Sequence, residues 1–170
     1  FLLEADYNAI SDNEIILNGK DGIHLSEFCE FNEISHNTIN SNDIDGIKIF
    51  FHDNHDNIFL GNTINYNRWN GIHFMDGNDN QVLLNTIYAN HYNGIHFGNS
   101  DSNKIIGNTI SYSSNEGIFL GEASKDNEIY YNNIIFNNAK DKGVNIWNNE
   151  YPLGGNYWTY YSGIDNNDDG

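Results

Sequence analysis

Proline, cysteine, methionine and basic side chains are scarce in this chain, and each scarcity removes a class of explanation. Among 170 residues there is one proline, one cysteine and one methionine. A lone Cys29 cannot form an internal disulfide, so covalent cross-links play no part in holding the monomer together. Lys and Arg number seven against 24 Asp and Glu, a net charge of -17. No basic patch exists to offset phosphates, so neither nucleic acid nor an anionic membrane is an expected partner. No apolar run is long enough to span a bilayer and no signal peptide is evident, so no membrane insertion is expected of this segment. No stretch carries the period of an amphipathic helix of about ten residues.

What the chain has in abundance is one repeated phrase. Asn-Thr-Ile begins at Asn37, Asn62, Asn85 and Asn108, and each copy is followed nine residues later by Gly-Ile, at Gly46, Gly71, Gly94 and Gly117. The copies are spaced by 25, 23 and 23 residues. Weaker copies flank them, Asn13-Glu14-Ile15 leading to Gly22-Ile23 and Asn132-Asn133-Ile134 leading to Gly143-Val144. A second Asn stands five residues before the first in each unit, at Asn8, Asn32, Asn57, Asn80, Asn103 and Asn127. A fixed period in this range marks a solenoid, in which each repeat covers its neighbour.

Every unit holds three apolar runs of three to five residues with period-two alternation, separated by Asn or Gly, which fits short strands and not helical turns. With almost no proline, the pattern predicts an all-β fold, a right-handed single-stranded parallel β-helix of about six coils of 23–25 residues, three short strands per coil, stacked about 4.8 Å apart. Three inward ladders follow: Ile10, Ile34, Phe59, Val82, Ile105 and Ile129; Ile15, Ile39, Ile64, Ile87, Ile110 and Ile134; and Leu25, Ile49, Phe74, Phe97, Leu120 and Ile146. Asn is expected at the corners because it tolerates the left-handed backbone region and can bond from coil to coil. The Gly before each third strand is expected to take a backbone angle that other residues resist. Hydrophobic content of 38% suits a rod whose coils show outward faces on all sides.

The repeats predict a β-helix over residues 1–149 and a distinct segment over 150–170. Phe1-Leu2-Leu3-Glu4-Ala5 aligns with Phe119-Leu120-Gly121-Glu122-Ala123, which puts the first residue inside a coil. Other chains or missing coils are therefore expected against that end. At the other end come Gly154-Gly155-Asn156-Tyr157-Trp158, a Tyr-rich stretch, and Asp165-Asn166-Asn167-Asp168-Asp169-Gly170. Together with the Asn-Thr-Ile and Gly-Ile-x-Leu repeats, these resemble the NosD-type β-helix proteins, also called CASH or PbH1-repeat proteins. The resemblance covers essentially the whole chain and implies a secreted, surface or periplasmic protein, of a kind abundant in methanogenic and related archaea. Such relatives include carbohydrate-binding and sugar-cleaving proteins, surface-layer components and a periplasmic factor for copper-site maturation.

Three candidate sites emerge from the residues. Asp165, Asn167 and Asp169 before Gly170 fit the first half of a Ca²⁺ loop, in which alternate side chains turn their oxygens onto one ion. The position after Gly-Ile reads Phe1, His24, Lys48, His73, His96, Phe119, Asn145 and faces outward by alternation. His73 and His96 then lie on adjacent coils, close enough by spacing to share a metal ion, and the resemblance points to copper. Trp69 and Tyr92 stand four residues before these histidines, with Asn70 and Asn93 between. Aromatic, amide and imidazole groups in parallel rows suit a sugar chain, so a polysaccharide or cell-envelope glycan is the expected ligand. His52-Asp53-Asn54-His55-Asp56 is a further cation candidate.

Two carboxyls at a defined separation would mark a glycoside hydrolase, but Asp21, Asp45, Asp76 and Glu116 follow no evident pairing. Serine and cysteine nucleophile motifs are absent. The reading is a non-catalytic extracellular or cell-envelope structural module that binds polysaccharide and Ca²⁺. A polysaccharide-cleaving enzyme and a periplasmic copper-handling protein stand as alternatives.

Overall fold

In a computed structural model, residues 1–149 and 154–159 are described. They wind into a β-solenoid with three parallel sheets of seven strands each. Sheet A runs from Leu2–Leu3 through Ile23–Ser26, Ile47–His55, Ile72–Asn78, Ile95–Gly98 and Ile118–Leu120 to Ala139–Asp141. Sheet B starts at Ala9–Ser11 and ends at Val144–Ile146; sheet C starts at Glu14–Ile16 and ends at Tyr157–Trp158. The chain visits A, B and C in turn, and each strand pairs with its counterpart one coil on. This gives about seven turns, one more than the repeat count, because the partial first and last turns also contribute strands.

The first two inward ladders run in the expected register, for example Phe59↔Val82↔Ile105 in sheet B and Ile64↔Ile87↔Ile110 in sheet C. Sheet A adds Leu25↔Ile49 and Phe74↔Phe97↔Leu120, and most of these side chains are wholly buried. Each contributes roughly 1.5 to 3 kcal/mol by leaving water.

The third ladder ends differently from the sequence expectation. Leu120 pairs with Asp141, whereas Val144–Ile146 crosses to sheet B, where Ile146 lies beside Glu128. The last turn is short: only 18 residues separate Asn127 from the Asn145 that accepts its N–H at 3.0 Å. Asn145 therefore continues a corner ladder and does not join the outward column, and Lys140 takes the place opposite Phe119. Trp147 and Trp158 pack on the core there with ring centres 5.9 Å apart.

Asparagine builds the corners by satisfying itself. The Asn62 main-chain N–H and side-chain amide donate to Asn85 Oδ1 at 2.8 and 3.0 Å, and the amide also donates to Ile34 O at 2.8 Å. Its own Oδ1 accepts the same pair of bonds from Asn37. A buried primary amide thus has partners above and below, which is the condition for burying it without penalty.

Two local expectations are corrected. At the corners before and after sheet C, the left-handed residue is the one before the ladder position: Ser41, Tyr66, Leu84 and Tyr112 have φ of 54–56°, and the Tyr66, Leu84 and Tyr112 side chains are exposed. The ladder Asn keeps an ordinary backbone. Nor does the Gly before sheet A need a special angle, since positive φ among the described glycines is confined to Gly61, Gly107 and Gly154. Space decides instead: a Cβ on Gly71 would lie 2.7 Å from both Gly94 O and Ile87 Cγ2.

Candidate functional site

The outer face of sheet A carries the column His24, Lys48, His73, His96, Phe119, Lys140, one residue per coil. Each is turned outward because both of its strand neighbours are core residues in most coils, as Ile72 and Phe74 are for His73. The corner leading into this sheet carries its own ladder, and here carboxylates enter it: Asp21, Asp45, Asn70, Asn93. Asp21 Oδ1 accepts the Asp45 N–H at 3.0 Å; Asp45 Oδ1 accepts the Asn70 N–H and amide at 2.9 and 2.8 Å; Asn70 Oδ1 accepts the Asn93 amide at 3.0 Å.

An Asp that fills an amide's place has a second oxygen left over. Asp45 Oδ2 accepts from His73 Nδ1 at 2.9 Å, and Asp21 Oδ2 from His24 Nδ1 at 2.9 Å. Asp45 is 1% exposed and has Lys48 Nζ at 3.9 Å. A carboxylate cannot donate, so this contact assigns the proton of the neutral His73 ring to Nδ1 and leaves Nε2 of that form as the acceptor. Burial alone would raise the Asp21 pKa, but hydrogen bonds from His24 and the Asp45 N–H, with the Lys48 charge, outweigh it and hold the carboxyl below its usual range.

His96 lies on His73 with ring centres 4.8 Å apart and planes 6° from parallel, and against Phe119 edge-to-face at 4.9 Å. Burial first, and the neighbouring His73 second, push its pKa down to about 4, so at neutral pH it is an uncharged imidazole. Trp69 and Tyr92 flank the column at the corner, 54% and 47% exposed, with ring centres 6.2 Å apart and planes 50° apart. The Tyr92 N–H donates to Trp69 O at 2.9 Å, which stacks the two corners.

Of the six residues expected to form the glycan strip, His73 and His96 lie on this outer face, and Trp69 and Tyr92 stand half-exposed on the corner leading into it. Asn70 and Asn93 lie beneath it, each 1% exposed and bound into the ladder, so they support the surface from below. Asp165, Asn167 and Asp169 lie outside the described residues. His55 is held by carboxylates at both ring nitrogens, Asp56 on Nδ1 at 2.9 Å and Glu30 on Nε2 at 3.1 Å, while Asn54 is buried under Cys29. The Asp56 hydrogen bond, with Glu30 and other nearby carboxylates, raises the His55 pKa. Both ring nitrogens of His55 are thus taken up by carboxylates.

Sequence reasoning missed the role of Asp45. The signal was present, because Asp45 aligns with Asn70 and Asn93 in the repeat. It also missed a row of aromatic rings at the corner after sheet C, described below.

The NosD family model, described as periplasmic copper-binding protein (NosD), matches residues 1–163. No curated protein matches the sequence. Among solved structures, a double mutant of the periplasmic alginate epimerase AlgG is 18% identical with a TM-score of 0.68, covering 81% of this chain and 37% of that one. A single mutant of the same epimerase is 20% identical with a TM-score of 0.63, covering 79% and 36%. Another is 19% identical with a TM-score of 0.66, covering 88% and 38%. The chain spans well under half of these structures' length, and at such identity the likeness shows a shared fold.

Copper does not fit the histidine column. A metal binds an imidazole lone pair in the ring plane at about 2 Å. Two parallel rings stacked face to face direct their lone pairs side by side, so they do not converge on one ion. Cys29 is buried with its thiol on Ser26 O, and among the described residues no three His, Cys, Asp or Glu are grouped to hold a metal. No helix among them is long and apolar enough to cross a membrane.

Proposed function

On the premise that this chain belongs to the NosD family, as the match over residues 1–163 shows, we propose that it is a non-catalytic β-helix module of the periplasm or cell surface that binds uncharged glycan on sheet A. The observation that carries this reading is the pairing of half-exposed Trp69 and Tyr92 on adjacent coils, beside the stacked His73 and His96. Flat aromatic faces hold the apolar faces of sugar rings, and an imidazole fixed by Asp45 supplies an oriented acceptor. A net charge of -17 repels polyanions, which favours a neutral ligand. The periplasmic description of the family supports the location.

Isothermal titration with soluble neutral polysaccharides tests the site. W69A/Y92A should weaken binding roughly tenfold or more, about 1.4 kcal/mol or above, with melting temperature unchanged. Equal affinity in the variant would refute the site, and release of shortened or unsaturated sugars from a glycan panel would refute the non-catalytic reading. Ca²⁺ binding by Asp165, Asn167 and Asp169 belongs to the same proposal. Calcium titration of the D165N/D169N variant should show a lost binding isotherm, and an unchanged one would remove that part.

A further inference from the structure

Sheet C has an outer face unlike the other two. Its outward positions in the second to sixth strands are Thr38, Thr63, Thr86, Thr109 and Asn133 in one column and Asn40, Asn65, Tyr88, Ser111 and Ile135 in the other. None of these ten carries a charge, in a chain with 31 charged side chains, and the charge in the column comes one coil earlier, at Glu14 beside Thr38. The corresponding positions of sheet B include Glu33, Lys104 and Glu128, and those of sheet A include Lys48.

The corner bordering this face is aromatic. The left-handed residues Tyr66 and Tyr112 point outward with Tyr88 between them, centres 5.5 Å apart on each side, and Phe136 continues the row 4.9 Å from Tyr112. Tyr66 and Tyr88 meet edge to face, and Tyr66 and Tyr112 are about half exposed. Beside them the Oδ1 of Asn65 has no hydrogen-bond partner.

We propose that this face is a second binding surface, which takes an uncharged polysaccharide lying parallel to the solenoid axis. Hydroxyls and rings recur once per coil, roughly every 4.8 Å, close to the advance per sugar of an extended β-linked chain. Successive sugars therefore meet the same chemistry at each coil. A neutral polymer is the partner from which an uncharged strip loses no ion hydration, whereas a charged one would leave its own groups unpaired. Sugar C–H faces rest on Tyr66 and Tyr112, and sugar hydroxyls exchange hydrogen bonds with the threonine column. The inference is independent of the sheet A reading, because it uses another face and other residues.

Sedimentation with microcrystalline cellulose and with chitin, the two probes, tests it. The expected result is retention of the full chain on at least one of them. T63D/T109D, whose new charges lie two coils apart and do not face each other, should reduce retention at least tenfold. Y66A/Y112A should do the same without adding charge, while Gln81→Asp on sheet B leaves it unchanged. Circular dichroism establishes that each variant is folded. No retention of the wild type, equal retention of both sheet C variants, or a dimer in sedimentation velocity that T63D/T109D dissolves would each overturn the proposal.

Discussion

Two ladders of the same solenoid do the same mechanical work with different consequences. The corner ladder through Asn62, Asn85 and Asn108 is all amide, and each member's donors and acceptor are absorbed within the stack. The ladder through Asp21, Asp45, Asn70 and Asn93 begins with carboxylates, and each carboxylate has an oxygen to spare, which turns outward onto an imidazole. One atom separates Asp from Asn, and that atom converts a structural rung into a support for a surface group. A repeat protein can thus prepare a site without disturbing its repeat.

The comparison is broken most severely inside the pure ladder. Asn85→Ala takes the acceptor from the Asn62 N–H and from one N–H of its amide, takes the side-chain donor from Phe59 O, and leaves Asn108 Oδ1 with the main-chain N–H of residue 85 alone. A loss of about 3 to 4 kcal/mol in urea denaturation is expected. A loss under about 1 kcal/mol would show that the amide stack is not what holds the corner.

Next in size is the pH response of the outer column. His96 has a folded pKa of about 4 against an ordinary value of 6.5, so the unfolded chain binds a proton that the native chain refuses. Stability from this group is complete above pH 6.5 and declines as pH falls toward 4. Discounted for solvent screening, the change is on the order of 1 to 2 kcal/mol, and His96→Asn should remove it from the difference between melting curves at the two ends of that window. A flat difference would mean that His96 titrates as a free imidazole.

Asp45→Asn sharpens the comparison by making the mixed ladder resemble the pure one. Its Oδ1 keeps its rung, so the stability change should be about 1 kcal/mol or less, visible in the same denaturation curves. The smallest expected effect is at His55, whose raised pKa adds stability that is present at low pH and fades as pH rises through its folded value. In E30Q/D56N, an NMR titration of the ring should show this pKa return toward the ordinary value, and no movement would deny the clamp.

The ladders were legible in the sequence because the repeat is strict: Ile64, Ile87 and Ile110 recur where a coil must bury them, and Asn62, Asn85 and Asn108 where it must turn. The shift at the last turn was not, since Gly143-Val144 mimics the repeat phrase while the shortened spacing from Asn127 sends it to sheet B. Corner stereochemistry was hidden too. Propensity assigns the left-handed angle to Asn, but a buried Asn needs its amide along the stack, so the strain falls on the exposed Tyr66 or Leu84 before it. At the site, Trp69, Tyr92, His73 and His96 could be grouped by register. Ring orientation and the free oxygen of Asp45 could not, because they depend on which atoms the ladder consumes.

Long-range proton–nitrogen spectra of the imidazoles at neutral pH, compared between the wild type and Asp45→Asn, test the spare-oxygen claim most directly. The expected result is a protonated Nδ1 and bare Nε2 for His73 in the wild type, relaxing to a mixed or reversed tautomer in the variant with its melting temperature nearly kept. Identical His73 spectra in the two proteins, or a wild-type His73 protonated at Nε2 alone, would contradict it.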